Sequence, residues 1–327
     1  MNIVYNCNER FAVHTAVSIA SLFDSNRAEE KIRVFILGNG LSTESVKGFG
    51  ELAESFGREI AIIDLRDYEA ALRLLFGQEL NTGGFDITVL ARLFAASHLP
   101  DEVEKYLYLD ADTVVLSSLK ELYDTELPQC GCICAMVPEP TIYEETRLEI
   151  GLEDDMPYYN SGMLLVDRRA WEEESITGAC IDYYKSLGGK GLMFPDQDII
   201  NHVLTGKIKT VWQGYNFFSN YCYQSYESLC RRAAWFSAVM SREEYERASG
   251  EPAVVHFAGA ERPWIRGSRN PYRAEYYRFR SMTPWAETPP EKGQEIKMLA
   301  YHMMNVVTRY CPGAREIISG LYFRSRK

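Results

Sequence analysis

No stretch of the 327 residues approaches 18 uncharged apolar side chains, so the sequence predicts no membrane-spanning helix. The N-terminus enters Ile3-Val4-Tyr5 directly, without the basic and apolar regions of a secretory leader. Basic residues are the minority, 35 Lys and Arg against 46 Asp and Glu, and a net charge of -11 argues against attachment to nucleic acid through its phosphates. None of the eight cysteines stands in a CxxC pair; Cys130, Cys132 and Cys134 instead alternate as along one face of a strand, which predicts structural thiols. Repeats and low-complexity tracts are also missing. These absences predict a cytoplasmic globular protein.

What remains is a chain with 46% hydrophobic and 13% aromatic residues, long enough for one large α/β domain or two ordinary ones. Its charge is uneven. Residues 292–327 hold seven Lys or Arg and two Glu, a net of +5, which leaves -16 for residues 1–291.

Short apolar runs at Ile3–Asn6, Ile32–Leu37 and Ile60–Asp64 read as strands, and the stretches Phe11–Leu22 and Ser42–Phe56 between them carry helical spacing. This alternation predicts an α/β fold with a mixed, mostly parallel sheet flanked by helices. After a linker through Asn81-Thr82-Gly83-Gly84, a helix is expected over Thr88–Leu99 and a strand over Tyr106–Leu109. Later strands are expected at Cys132–Val137, Gly162–Val166, Lys209–Trp212 and Ala253–Phe257, with helices over Arg168–Leu187 and Asp196–Leu204. Thr283–Pro290 reads as an extended linker. The expected division is a body of residues 1–270 and a C-terminal linker and basic helical appendage of residues 271–327. The appendage suits a membrane surface, another subunit, or plain packing.

Asp110-Ala111-Asp112 follows the expected strand Tyr106–Leu109, and ligands in open α/β sheets gather beyond strand C-termini. Two carboxylates one residue apart can turn toward one hard cation, although a solvated acidic turn has the same spelling. His256 ends the apolar run Ala253-Val254-Val255 and precedes Gly259 and Arg262. An imidazole with two carboxylates suits Mn²⁺ better than Mg²⁺; Gly259 lets backbone approach a phosphate, and Arg262 can bind its oxygens.

Six ordered blocks, NIVYNCNERFAVH at the start, LARL at 90–93, YLYLDADTVVL at 106–116, YYNSGMLLVD at 158–167, FPDQDIIN at 194–201 and VVHFAGAERPW at 254–264, resemble glycosyltransferase family 8. Within it the chain resembles the bacterial lipopolysaccharide galactosyl- and glucosyltransferases. The resemblance implies a GT-A (Rossmann-like) fold, a UDP-sugar donor, Mn²⁺ with Mg²⁺ as the alternative, retention of anomeric configuration, and an oligosaccharide or lipid-linked glycan acceptor. It makes Asp110, Asp112 and His256 the metal ligands, with Asp110 and Ala111 also against the donor. Asn6, Cys7 and Asn8 would line the uridine, Asn8 standing where the family often has Asp. Arg92, Asn160, Asp196 and Gln197 would surround the hexose, while Asp198 either shares that motif's role or only caps the following helix. Gly259 and Arg262 would grip the diphosphate, Arg262 standing where relatives carry Lys. Gln197 would be the residue nearest the face opposite the leaving group, and an amide is a poor nucleophile, which favours front-face attack. Acceptor contacts are expected from 139–157 and 212–232, the second rich in aromatics that suit either sugar stacking or core packing. A self-glucosylating, glycogenin-like primer and a non-catalytic UDP-sugar or glycan-binding protein are the rival readings. A nucleotidyltransferase lacks its Gly-rich loop after Tyr5.

Overall fold

The computed structural model describes residues 1–76, 82, 86–188, 192–311 and 313. Of the expected linker at 81–84 only Thr82 is among them, and residues 314–327 of the basic segment lie outside the described residues.

Ten strands are described: β1 (Asn2–Asn8), β2 (Arg33–Asn39), β3 (Glu59–Asp64), β4 (Lys105–Leu109), β5 (Thr113–Val115), β6 (Cys134–Pro138), β7 (Tyr159–Asp167), β8 (Ile208–Thr210), β9 (Phe217–Phe218) and β10 (Val254–His256). Seven make one sheet in the order β3-β2-β1-β4-β7-β6-β8. Its pairs are parallel except for those of β7, which runs against β4 and β6. This is the expected mixed, mostly parallel sheet. The central strands are apolar on both faces: Val4, Tyr106 and Tyr108 enter one core while Ile3, Tyr5, Leu107 and Leu109 enter the other. Helix Ala12–Ser25 is buried along most of its length. Helix Thr43–Phe56 starts where Ser42 accepts from the Ser45 amide and stops at Gly57, whose φ of 61° a side chain would resist.

Four local expectations need correction. Residues 87–94 wind as a 3-10 helix, and only Ala95–His98 is α-helical. β-branched Ile87, Thr88 and Val89 resist a regular helix, and Asp86 accepts from both the amide (2.9 Å) and the hydroxyl (2.6 Å) of Thr88. The helix expected over 168–187 is two, Arg168–Glu173 and Ile176–Ser186, parted at Ser175 with φ 52°. The break lets Thr177 accept from Trp171 Nε1 at 3.0 Å and donate to the Leu93 carbonyl at 2.8 Å. Cys130 and Cys132 precede β6 rather than lying on it, because Gly131 turns the chain at φ 67°. Finally, Thr283–Pro290 folds into turns, and the Trp285 ring stands 5.4 Å from that of Phe49.

The expected strand at 253–257 belongs to a second sheet, β5-β10-β9, which the sequence does not announce. Val114 and Val255 of this sheet share a core with Tyr276 and Phe279 of helix Arg273–Arg280 and with Met298 of helix Glu295–Tyr310. Among the described residues no helix is long and apolar enough to cross a membrane. Because Phe279 is fully buried there, Phe279→Ala is expected to lower stability by about 3–5 kcal/mol. A denaturant titration reads it as an earlier midpoint of one transition; a separate early transition with the rest unmoved would contradict the shared core.

Candidate active site

The strand order departs from simple succession between β1 and β4, and ligands collect at such switch points beyond strand C-termini. Tyr5 pairs with Leu109 there, and the chain then leaves the large sheet through Asp110-Ala111-Asp112 to start β5 in the small one. Across β5 and β10, Thr113 pairs with His256, and the Phe257 amide donates to the Asp112 carbonyl at 2.8 Å. The acidic turn and the distant histidine are therefore joined by strand register.

His256 Nε2 lies 3.2 Å from Asp112 Oδ1 and 3.8 Å from Asp110 Oδ2. One donor atom from each of these three residues falls within 4.8 Å of the others. His256 Nδ1 stands 2.9 Å from Asn216 Oδ1, a carbonyl that only accepts, so Nδ1 carries a hydrogen. On a neutral ring Nε2 then turns a lone pair toward two carboxylates, an arrangement that a proton or a divalent cation must satisfy. The donor set fits a metal ion.

Beneath it Arg92, buried, donates to Asp110 Oδ1 at 2.8 Å and to the Val89 carbonyl at 3.2 Å. Its Nε lies 3.0 Å from Asp196 Oδ2, and it also bonds Ser161 through the carbonyl and, at 3.0 Å, through Oγ. Burial disfavours the guanidinium charge, but Asp110 and Asp196 outweigh it and keep Arg92 above its ordinary pKa. Burial also raises the Asp110 carboxyl, against the pull of Arg92 and His256. For Asp112, burial is overcome by His256 and then Arg262, and its pKa falls. The two carboxylates of one turn are thus pushed apart by their surroundings.

Around these groups lies a cleft of about 300 Å³, within the range of small-molecule sites. Every residue expected at the site lines it except Cys7: Asn6, Asn8, Arg92, Asp110, Ala111, Asp112, Asn160, Asp196, Gln197, His256, Gly259 and Arg262. The Cys7 thiol points to the opposite core, accepts from Thr15 Oγ1 at 3.1 Å, and is pushed up to about 12 by burial. Asp86 also lines the cleft and accepts from Asn8 Nδ2 at 3.0 Å, so a carboxylate stands beside the position where the family often carries one. Arg262 reaches toward Asp112 at 3.6 Å, and Gly259 has φ 95°, a conformation that a side chain would strain. Asp198 is no mere cap: it accepts from Tyr158 and from the Met193 and Phe194 amides, and burial raises it to about 7. In the aromatic segment Tyr215, Phe217, Phe218 and Tyr221 are buried in the core, and Tyr223 and Tyr226 are partly exposed.

Sequence reasoning missed Asn216, Gly162, Ser161 and Tyr108. Asn216 sits in an unpatterned 3-10 turn and carries no local signal. Gly162 was visible inside YYNSG. A Cβ there would meet His256 Cε1 at 2.4 Å and Asn160 Oδ1 at 2.8 Å.

Gly162→Ala is therefore expected to displace the imidazole and weaken divalent-cation binding at the three donors about 10- to 100-fold, the usual cost of disturbing the surroundings of a metal ligand. Calorimetric titration checks this, and unchanged affinity in a folded variant would contradict the packing. In the metal-free protein burial lowers the His256 pKa, but Asp112 and Asp110 prevail and raise it above 6.5. The imidazolium hence contributes stability in full below about pH 6.5, and that contribution is lost as pH rises through the higher folded value. A metal needs the neutral ring and displaces the proton, so its stabilisation should grow as pH rises through that folded value. Thermal shifts with Mn²⁺ measure this, and His256→Ala should remove the pH dependence.

The family model described as glycosyl transferase family 8 matches residues 2–267. The chain is 26% identical to general stress protein A of Bacillus subtilis, over 87% of this chain and 94% of that protein. It is 24% identical to the lipopolysaccharide 1,3-galactosyltransferase of Salmonella typhimurium, over 99% and 91%. Among solved structures, the galactosyltransferase LgtC with donor and acceptor sugar analogues aligns at a TM-score of 0.70 and 23% identity, over 87% of this chain and 96% of that one. That likeness establishes the GT-A fold. The match from residue 2 to residue 267, over the same strands and turns that build the cleft, makes this chain a member of glycosyl transferase family 8.

Proposed function

We propose that the protein is a retaining hexosyltransferase that moves galactose or glucose from a UDP-sugar to a glycan acceptor, with Asp110, Asp112 and His256 holding Mn²⁺. The observation that carries this reading is the convergence of those three donors in a cleft also lined by Arg92, Asn160, Asp196, Gln197, Gly259 and Arg262. A bound Mn²⁺ would offset the charge that develops on the departing diphosphate. Arg262 adds a guanidinium 3.6 Å from Asp112, and the left-handed backbone of Gly259 lets the loop approach phosphate oxygens.

Asn6 Oδ1 is buried without a hydrogen-bond partner, and an N–H of the base would supply the missing donor. Asp196 and Asn160 are assigned to the hexose hydroxyls, where fixed acceptors and donors hold the sugar for attack. Gln197 Oε1 accepts from Asn160 Nδ2 at 2.7 Å and from the Ser161 amide at 3.0 Å. Both of its lone pairs are engaged, which adds to the chemical weakness of an amide as a nucleophile and favours front-face attack.

The acceptor follows from the lipopolysaccharide relative and from the C-terminal segment, which we assign to contact with the inner face of the membrane from the cytoplasmic side. On helix Glu295–Tyr310, Ile296, Leu299, Met303 and Val307 form an exposed stripe near Lys292, Lys297 and Arg309. An oligosaccharide or lipid-linked glycan is the acceptor class that suits it.

A donor screen tests the reading. With Mn²⁺, one of UDP-glucose, UDP-galactose, UDP-N-acetylglucosamine or UDP-N-acetylgalactosamine should release UDP, and Asp110→Ala or a chelator should abolish the release. Arg262→Ala should cost about 10²–10³-fold in rate, as removal of a transition-state donor does, and Arg262→Lys less. Absence of both UDP binding and release would sink the proposal.

A further inference from the structure

We infer that Asn216 is the positioning residue of this site: one side chain sets the tautomer of His256 and the orientation of the amides assigned to the hexose. The inference rests on the proposed reading of the metal ligands and of Asn160 and Gln197.

The argument starts from two backbone amides, which can only donate. The Gly162 N–H reaches Asn160 Oδ1 at 2.9 Å, and the Ser161 N–H reaches Gln197 Oε1 at 3.0 Å. These contacts identify the oxygen end of each side-chain amide. Asn160 Nδ2 then donates to Gln197 Oε1 at 2.7 Å, Gln197 Nε2 donates to the Tyr158 hydroxyl at 3.0 Å, and that hydroxyl donates to Asp198. On the other side Asn160 Oδ1 is already an acceptor, so Asn216 must present Nδ2 to it, at 2.7 Å. The Asn216 carbonyl is left facing His256 Nδ1 at 2.9 Å, and that nitrogen must carry the hydrogen.

All five bonds point one way, from the imidazole to the Asp198 carboxylate. Asn216, Gln197 and Asp198 are buried, so water does not compete for these partners. The neutral ring is held with its Nε2 lone pair toward Asp110 and Asp112, the form that binds a metal. An amide suits the middle of this chain for two reasons. It both accepts and donates, and it adds no charge to a cleft wall that already holds the carboxylates of Asp86, Asp110, Asp112 and Asp196.

Asn216→Leu and Asn216→Asp separate the two halves of the role, since Asp keeps the acceptor for His256 and loses the donor to Asn160. In the metal-free full chain at alkaline pH, two-bond ¹H–¹⁵N spectra, assigned by loss of the signal in His256→Ala, should show hydrogen on Nδ1. A wild-type ring protonated on Nε2 overturns the inference. With Mn²⁺ titrated in the presence of UDP, the Leu variant should bind the metal about 10- to 100-fold more weakly and lose the single tautomer. The Asp variant should restore affinity while donor turnover, read as kcat rather than KM, stays low. A folded Leu variant with unchanged affinity and tautomer overturns the metal half, and an Asp variant with full turnover overturns the link to Asn160. If the Leu variant does not fold, the Asp variant and the wild-type spectrum still decide. Should the wild type bind no Mn²⁺, the metal reading of the preceding section fails, while the spectrum judges Asn216 by itself.

Discussion

A single buried guanidinium holds this cleft together. Arg92 stands between Asp110, at the exit of β4, and Asp196, at the start of helix Pro195–Val203, and it reaches back to Ser161 on β7. Three segments distant in sequence are thereby fixed by one charge. Burying carboxylates is costly unless they are paired and hydrogen-bonded, and leaving one unpaired costs about 3–5 kcal/mol. The 3-10 winding of 87–94 belongs to the same constraint, since Arg92 also donates within its own segment to the Val89 carbonyl.

Upon that base the site solves an electrostatic problem. A metal centre needs negative groups close together, and their mutual repulsion has to be held in check before the metal arrives. Here Arg92 steadies Asp110 from below while His256 and Arg262 steady Asp112 from the side. The carboxylates consequently keep different proton affinities within one turn of chain. The amides of Asn216, Asn160 and Gln197 bring polarity without further charge, and the backbone of Ser161 and Gly162 orients them. Gly162 is needed twice, since its amide orients Asn160 and its missing side chain makes room for the imidazole.

Much of this was legible in the sequence, for identifiable reasons. Ile3–Tyr5 of β1, Val34–Leu37 of β2 and Tyr106–Leu109 of β4 are continuous apolar runs, because both their faces are covered, and such runs announce themselves. Most residues expected at the site gather around one cleft because Asn6, Asn8, Asp110, Asp112 and His256 end or follow strands and Asp196 and Gln197 open a helix, where α/β folds collect ligands. The Cys7 thiol lies away from the cleft because period-two alternation in β1 turns its side chain away from those of Asn6 and Asn8. Asn216 was invisible because its meaning depends on Asn160 and His256, neither of which is near it in sequence.

What the sequence determined by itself was the kind of fold, the acidic turn after β4, and the supply of an imidazole, a guanidinium and amides in ordered blocks. Periodicity and local motif carry that information, since each depends on neighbours a few residues away. Only the tertiary structure decided that 253–257 leaves the large sheet, that Thr113 stands opposite His256, and which end of each amide faces which partner. It also decided that the segment beyond residue 270 packs Tyr276, Phe279 and Met298 against Val114 and Val255. These outcomes follow from strand register and hydrogen-bond direction between distant segments, and neither leaves a periodic trace along the chain.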